Sequence, residues 1–153
     1  MCIFCRIAEG ELPASVVYND DKAIAFLEIQ PITPGHVLVI PKKHAKRLIE
    51  LTPEDAGHMM WVGQIVGEGL RHSDLLCQGV NYIMSDGMAA GQDVDHVHLH
   101  VFPRFEGDGF EMCMENALQK QPGRDLLNEQ ADQIIDAMNQ LVWNPVKSPV
   151  NVN

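Results

Sequence analysis

Three histidines alternate with apolar residues in the segment His96-Val97-His98-Leu99-His100-Val101. Successive side chains of an extended strand point to opposite faces, so this spacing predicts that all three imidazoles share one face. Neighbouring imidazoles on that face stand about 6.6–7 Å apart, which lets two of them contact one tetrahedral phosphate. A solvent-exposed polar strand face is the alternative, and it would be the usual explanation for a single histidine. Three histidines in register favour a phosphate site.

A loop of small residues, Ala89-Ala90-Gly91-Gln92-Asp93-Val94, leads directly into the histidine segment. Small residues allow backbone N–H groups to approach an anion closely. One glycine loop is weak evidence by itself. Its position immediately before the histidines nevertheless predicts a phosphate cradle.

Cys2 and Cys5 form a C-x-x-C pair, whereas Cys77 and Cys113 stand alone. This pair suits two thiolate ligands of one zinc ion, and it equally suits a redox motif or no function. Four cysteines in this arrangement do not predict a disulfide framework, so we expect Cys77 and Cys113 to be packed or free thiols.

The elements that position these residues are a hairpin and further strands. Two β-rich runs flank the turn-forming Asn19-Asp20-Asp21 and predict a hairpin over residues 15–29. After a break rich in proline and glycine, residues 37–40 predict another strand, which Pro41 ends.

Thr52 marks the start of a helix, with Pro53 at its first position and Asp55 at the favourable end of the helix dipole. Apolar and small residues then recur at three- and four-residue steps and predict one face packed on a sheet. These residues are Ala56, Met59, Met60, Gly63, Val66 and Leu70.

Residues 81–85 and 94–102 predict two more strands, joined by a glycine-bearing loop over 86–92, and residues 124–141 predict a second helix. This order predicts an α+β fold, an antiparallel sheet with one main helix packed on it plus a C-terminal helix.

Composition bounds the function. A chain of 153 residues, 46% hydrophobic and 21% charged, predicts a single domain over 1–153. The net charge of −10 argues against nucleic acid as a partner, because that binding depends on lysine and arginine. It also requires any phosphate site to supply its own donors. The chain has no run of 18 apolar residues and no secretory pattern at its start, so we expect a cytoplasmic protein without a membrane partner.

Several segments together resemble one family. The histidine segment ends in Val101-Phe102, Gly91-Gln92 precedes it, and the chain also carries the segments 34–44 (PGHVLVIPKKH) and 3–7 (IFCRI). The sequence resembles the histidine triad (HIT) family, in its nucleotide-binding hydrolase branch. The resemblance covers about residues 2–110, and residues 103–110 are similar to bacterial members. Residues 115–153 form a C-terminal helical extension and tail in this interpretation.

The resemblance implies nucleotidyl transfer. His98 would attack the α-phosphorus of a nucleotide and form a nucleotidyl-histidine that water then hydrolyses. His100 would assist at the phosphate beside His96, and Gln92 with the backbone of Asp93 and Val94 would donate further hydrogen bonds. A histidine is largely neutral at cytoplasmic pH and therefore nucleophilic, while a neighbouring histidine can hold the proton that the leaving group needs.

The resemblance also implies a base and ribose pocket. Phe4, Ile7, Phe26 and Ile29 would sandwich a purine, and Glu28 would accept hydrogen bonds from the ribose hydroxyls. The alternative is that these four apolar residues are simply core, since pocket walls and core are often the same residues.

Three positions depart from the family pattern. Glu28 replaces a shorter aspartate, and Ser85 replaces an asparagine near the phosphates. Asp93 stands where a hydroxyl residue is common. Because a carboxylate would repel a phosphate, we expect the Asp93 side chain to turn away.

Bacterial members with the N-terminal cysteine pair imply a structural zinc site of Cys2, Cys5, His44 and His96, with His36 as a second-choice ligand. No metal is expected for the chemical step. Family members are commonly homodimers, and residues 52–72 with 81–85 are the expected interface.

The sequence therefore predicts a hydrolase or nucleotidyl transferase acting on a purine nucleoside phosphoramidate or a similar mononucleotide derivative. One alternative is a dinucleoside polyphosphate hydrolase. Another alternative is a nucleotide-binding module with little turnover. A redox role for the Cys2 and Cys5 pair is the least favoured alternative.

Overall fold

The computed structural model describes residues 2–112 and 122–141. The chain divides into two compact units, Met1–Phe110 and Glu111–Asn153. Within the described residues, the first unit holds five strands and two α-helices, and the second holds one α-helix. A single domain over the whole chain stays a prediction.

The described residues contain five strands, which are β1 (Val16–Asn19), β2 (Ala23–Leu27), β3 (Val37–Pro41), β4 (Gly79–Met84) and β5 (Leu99–Arg104). They form one antiparallel sheet in the order β1-β2-β3-β5-β4. The predicted hairpin is confirmed as β1 and β2, and the predicted strand that ends at Pro41 is confirmed as β3. This sheet with its helices confirms the α+β class.

The main helix, α2 (Pro53–His72), begins as predicted, because the Asp55 N–H donates to Thr52 Oγ1 at 3.1 Å. It packs against β5 and β3. The expected buried face is partly wrong, since Met60 is 44% exposed and Val62 is fully buried instead. Apolar residues occur on more than one side of α2, so their spacing alone did not determine which side faces the sheet.

The sheet is covered on both faces. Alternation along β3 directs Val37 and Val39 into the core cluster under α2, and Leu38 and Ile40 into a second cluster on the opposite face. That second cluster contains Phe4, from a short helix α1 (Ile3–Ala8). The sequence did not predict α1, whose six residues are too few for a helical periodicity to show.

The histidine segment is less regular than the predicted strand over 94–102. The strand β5 begins only at Leu99, so His96 and His98 lie in the extended stretch before it. Continuing the β3–β5 register would place Pro41 opposite Val97, but Pro41 has no N–H to donate and its carbonyl already accepts from His96 Nε2. The Val97 N–H instead donates to the carbonyl of Ala45 at 2.8 Å. The predicted alternation holds, because Val97, Leu99 and Val101 all enter the cluster under α2.

The second unit contributes α3 (Arg124–Gln140), which confirms the helix predicted over 124–141. No residue of α3 is buried. None of the helices in the described ranges is long and apolar enough to cross a membrane.

Candidate active site and metal centre

A cavity of about 810 Å³ lies between α1, the end of β2 and the histidine segment. Its volume falls within the range typical of small-molecule sites, about 300–1,000 Å³. Seven of the predicted nucleotide-binding residues line it together with His98 and His100, whereas Ser85 and Gln92 do not. The seven are Phe4, Ile7, Phe26, Glu28, Ile29, Asp93 and Val94.

The apolar wall of the cavity is formed by core residues. Phe4 and Phe26 are 7% and 4% exposed, and their ring centroids stand 5.8 Å apart in an edge-to-face contact. Ile29, in contrast, is 91% exposed and stands at the rim. Phe4 and Phe26 are therefore core residues and also form part of the pocket wall.

His98 is almost completely buried, and one of its ring nitrogens is committed to the backbone. Its Nδ1 stands 2.7 Å from the carbonyl oxygen of His96. A carbonyl oxygen only accepts, so Nδ1 carries the proton and Nε2 of the neutral ring keeps a free lone pair. That tautomer makes Nε2 the nucleophilic atom of the ring.

His100 is held by a histidine that sequence reasoning considered only as a second-choice metal ligand. The Ile32 N–H donates to His36 Nδ1 at 3.1 Å, so Nε2 of a neutral His36 carries the proton. That Nε2–H donates to His100 Nδ1 at 3.0 Å, which leaves the proton of a neutral His100 on its own Nε2. The structure thus places His36 beside His100 and not with the cysteines. The motif Pro34-Gly35-His36 was the available signal.

Burial favours the neutral forms of the His36 and His100 imidazoles. It lowers the pKa of His36 to about 4, with His100 as a further cause, and it lowers the pKa of His100, with His98 as a further cause. Neutral rings at pH 7 can donate from one nitrogen and accept at the other, as the chain from Ile32 through His36 to His100 requires.

Four side chains form a compact group with the donor set of a zinc site. The ligand atoms of Cys2, Cys5, His44 and His96 all lie within 4.8 Å of one another. His96 Nδ1 stands 3.4 Å from Cys2 Sγ, 3.6 Å from Cys5 Sγ and 3.3 Å from His44 Nδ1. The edges of a tetrahedral zinc site are about 3.6 Å for sulfur to nitrogen and about 3.3 Å for nitrogen to nitrogen. The separations from His96 Nδ1 are close to these edges, so the donor set and its spacing suit a zinc ion.

The backbone also orients the fourth ligand of this group. His96 Nε2 stands 2.8 Å from the carbonyl oxygen of Pro41, so Nε2 carries the proton and Nδ1 is free for a metal. Burial and the neighbouring Cys2 raise the pKa of the Cys5 thiol. A bound cation would have the opposite effect, since metal-bound thiols are deprotonated.

The loop before the histidines is held by the side chain of Gln92. Its Oε1 accepts from the Gly87 N–H at 2.7 Å, and its Nε2 donates to the carbonyls of Lys46 and Val94 at 2.8 and 3.1 Å. The Gln92 side chain therefore binds three backbone groups of this chain, whereas the family resemblance implied that it donates to phosphate.

Asp93 does not turn away from the site, so that expectation is wrong. Its Oδ1 lies 3.8 Å from His98 Nε2, although the side chain is 85% exposed. An exposed carboxylate keeps most of its hydration, so this position beside the His98 ring costs it little desolvation. Glu28 also lines the cavity, and its Oε1 accepts from the Gln30 N–H at 2.9 Å.

Comparisons with known proteins agree with this geometry. The HIT domain family matches residues 9–107. An uncharacterized HIT-like protein of Methanocaldococcus jannaschii is 45% identical over 109 residues, which span 71% of this chain and 83% of that protein.

Two solved structures show the same fold. A Zn-bound histidine triad family protein from Mycobacterium smegmatis superimposes with a TM-score of 0.69 at 38% identity, covering 89% of this chain and 96% of that one. A histidine triad nucleotide-binding protein from Candida albicans gives a TM-score of 0.77 at 28% identity, covering 91% and 98%. On the sequence match and the shared fold, the chain belongs to the HIT family.

Proposed function

We propose that this chain is a nucleotide hydrolase or nucleotidyl transferase that attacks the α-phosphate of a purine nucleoside phosphoramidate or a similar mononucleotide derivative. The observation that carries the proposal is the free lone pair of His98 Nε2 in the wall of the cavity, fixed by the bond from Nδ1 to the His96 carbonyl. HIT family proteins are usually nucleotide-binding hydrolases or transferases.

In the proposed first step, His98 Nε2 forms a bond to the α-phosphorus as the bond from phosphorus to the leaving amine breaks. The leaving nitrogen takes the electron pair of that bond and a proton from solvent, while the Nε2–H of His100 donates a hydrogen bond to a phosphate oxygen. The nucleotidyl-imidazole formed on His98 carries a positive charge. The His96 carbonyl, 2.7 Å from Nδ1, stabilises that charge.

In the second step, water attacks the phosphorus and the bond to His98 Nε2 breaks. The attacking water releases its proton to solvent, which balances the proton taken by the leaving amine, and His98 returns to its neutral form. His36 keeps His100 oriented in both steps, because its Nε2–H bonds to His100 Nδ1.

For the base, we propose a position between Phe4, Ile7, Phe26 and Ile29, with the ribose hydroxyls on Glu28. The edge-to-face phenylalanine pair presents an apolar surface that a purine ring can contact. Asp93 and Val94 line the histidine end of the same cavity, where the backbone of both residues would bind the phosphate. Ser85 and Gln92 would support this end from outside the cavity lining.

We propose a structural zinc ion at Cys2, Cys5, His44 and His96, and no metal in the chemical step. The ion would fix the N-terminal residues to the histidine segment. The fit of the four ligand atoms to a tetrahedron supports this proposal, as does the zinc in the M. smegmatis relative.

We also propose a cytoplasmic homodimer joined through α2 and β4. The strand β4 is an edge of the sheet, and Tyr82 on β4 and Met60 and Ile65 on α2 are each at least 40% exposed. Exposed apolar side chains beside an unpaired strand edge are typical of an interface. The net charge of −10 argues against a nucleic acid as partner.

The test is hydrolysis of adenosine 5′-phosphoramidate by the wild type, by His98→Ala and by His72→Ala, a control whose side chain is 80% exposed on α2. We expect loss of turnover in His98→Ala alone and a nucleotidyl-enzyme on acid quench of the wild type. A dinucleoside polyphosphate is assayed in parallel with the phosphoramidate, and faster hydrolysis of the polyphosphate would favour the alternative hydrolase. An inactive wild type that binds AMP would refute the enzyme and favour the binding module.

A further inference from the structure

The proposed substrate is an anion, but the walls of the cavity carry no compensating positive side chain. Among its lining residues in the described part of the chain there are two carboxylates, Asp93 and Glu28, and no lysine or arginine. The nearby Lys46 is directed elsewhere, with its Nζ 3.3 Å from Asp95. The cavity therefore discriminates among ligands by charge, and it disfavours additional negative charge.

Asp93 is the carboxylate beside the reacting atoms. Its Oδ1 stands 3.8 Å from His98 Nε2. The three hydrogen bonds of the Gln92 side chain hold the loop from which Asp93 projects, so the backbone at this point is anchored. The Glu28 carboxylate is less free to turn towards a leaving group, because its Oε1 already accepts from the Gln30 N–H.

We infer that Asp93 selects the leaving group by charge, favouring amines that carry an additional positive charge and disfavouring anionic ones such as polyphosphates. This inference rests on the proposed function, since it assumes that His98 is the nucleophile. Phosphorus at attack distance lies about 3 Å from Nε2, with the leaving nitrogen beyond it in line. A charge on the leaving group then stands about 6–8 Å from Asp93. At the water-like permittivity of an exposed carboxylate, one unit charge there changes the rate by about two- to threefold.

The experiment compares three adenosine 5′-phosphoramidates with the same reacting bond and leaving amines of similar length, made from propylamine, 1,3-diaminopropane and β-alanine. In the wild type at low salt, we expect kcat/KM for the diamine compound to exceed that for the β-alanine compound by about five- to tenfold. Asp93→Asn should lose this ratio. Asp95→Asn removes the same charge at an 81% exposed side chain that does not line the cavity, and it should keep the ratio within twofold.

Salt provides a second measurement, because screening should reduce the wild-type ratio at 0.5 M salt and leave the Asp93→Asn ratio unchanged. A ratio that is the same in Asp93→Asn and wild type would overturn the inference. If the wild type hydrolyses none of the three compounds, the proposed function fails. The dissociation constants of the same compounds, measured by calorimetry, then test charge selection alone, and equal constants in the wild type would overturn it.

Discussion

Removal of the metal from the Cys2, Cys5, His44 and His96 group should destabilise the protein and weaken nucleotide binding together. The perturbations are a chelator and Cys5→Ser. The control is Cys77→Ser, since the Cys77 thiol donates to the Gly79 carbonyl at 3.2 Å and belongs to no such group. Without metal, thiol-to-imidazole contacts of 3.3–3.6 Å are all that joins the two cysteines to the histidines.

The expected loss of stability follows from mass action. Free zinc at one hundred times its dissociation constant stabilises the folded state by about 2.7 kcal/mol. For a folded unit of the size of Met1–Phe110, each kcal/mol shifts Tm by about 4 °C, so metal-free protein should melt about 10 °C lower.

The nucleotide effect follows from α1, whose six residues cannot remain helical without support. Phe4 lies on α1 between the two cysteines and contacts the rings of Phe26 and His98 at centroid distances of 5.8 and 5.3 Å. Loss of one aromatic wall costs about 0.5–1.5 kcal/mol, so AMP should bind about two- to tenfold more weakly.

Metal content, Tm by scanning calorimetry and AMP affinity by titration calorimetry would be measured on the same preparations. The reasoning is refuted if protein shown to be metal-free melts at the same temperature as protein with one equivalent of zinc. A lower Tm with unchanged AMP affinity would show that α1 keeps its place without the ion.

Other substitutions test the packing, the buried histidines and the interface. Gly63→Ala should cost about 1–3 kcal/mol, because its Cβ would stand 2.7 Å from Leu99, whereas Gly57→Ala in the same helix meets nothing within 4 Å and should be neutral or stabilising in urea unfolding. Burial, with a neighbouring histidine, lowers the pKa of His36 to about 4, so the unfolded state binds its proton first as pH falls. Stability should be complete above about pH 6.5 and fall by up to about 3 kcal/mol towards pH 4, and His36→Gln should flatten this loss; an unchanged slope would contradict the assignment. Ile65→Asp should convert a dimer into a monomer in sedimentation, a result that a monomeric wild type would exclude.

The parts of the fold with local sequence signals were predictable. The helix start at Thr52 and the hairpin over 15–29 depend on capping and turn chemistry between neighbours in sequence, and both occur as expected. The position of β5 depends on what lies opposite it. Pro41 faces the histidine segment only after the sheet has formed, so the late start at Leu99 had no local signal.

The candidate site divides in the same way. Seven of the nine nucleotide-binding residues implied by the family resemblance line the cavity, and the four implied metal ligands form one group. The role of His36 depends on its hydrogen bonds to Ile32 and His100, and the orientation of Asp93 depends on a loop held by Gln92. Side-chain orientations of this kind result from tertiary contacts, which a single sequence does not specify.

The tautomers of His96, His98 and His36 are each fixed by a backbone group, at Pro41, His96 and Ile32. A main-chain carbonyl or N–H persists through most substitutions at its own residue. Substitutions around the imidazoles therefore leave the groups that fix their tautomers in place. The lining side chains have no such protection. Adaptation to new ligands can therefore proceed through substitutions in the cavity wall while the tautomer of His98 is kept, which makes this architecture well suited to functional divergence.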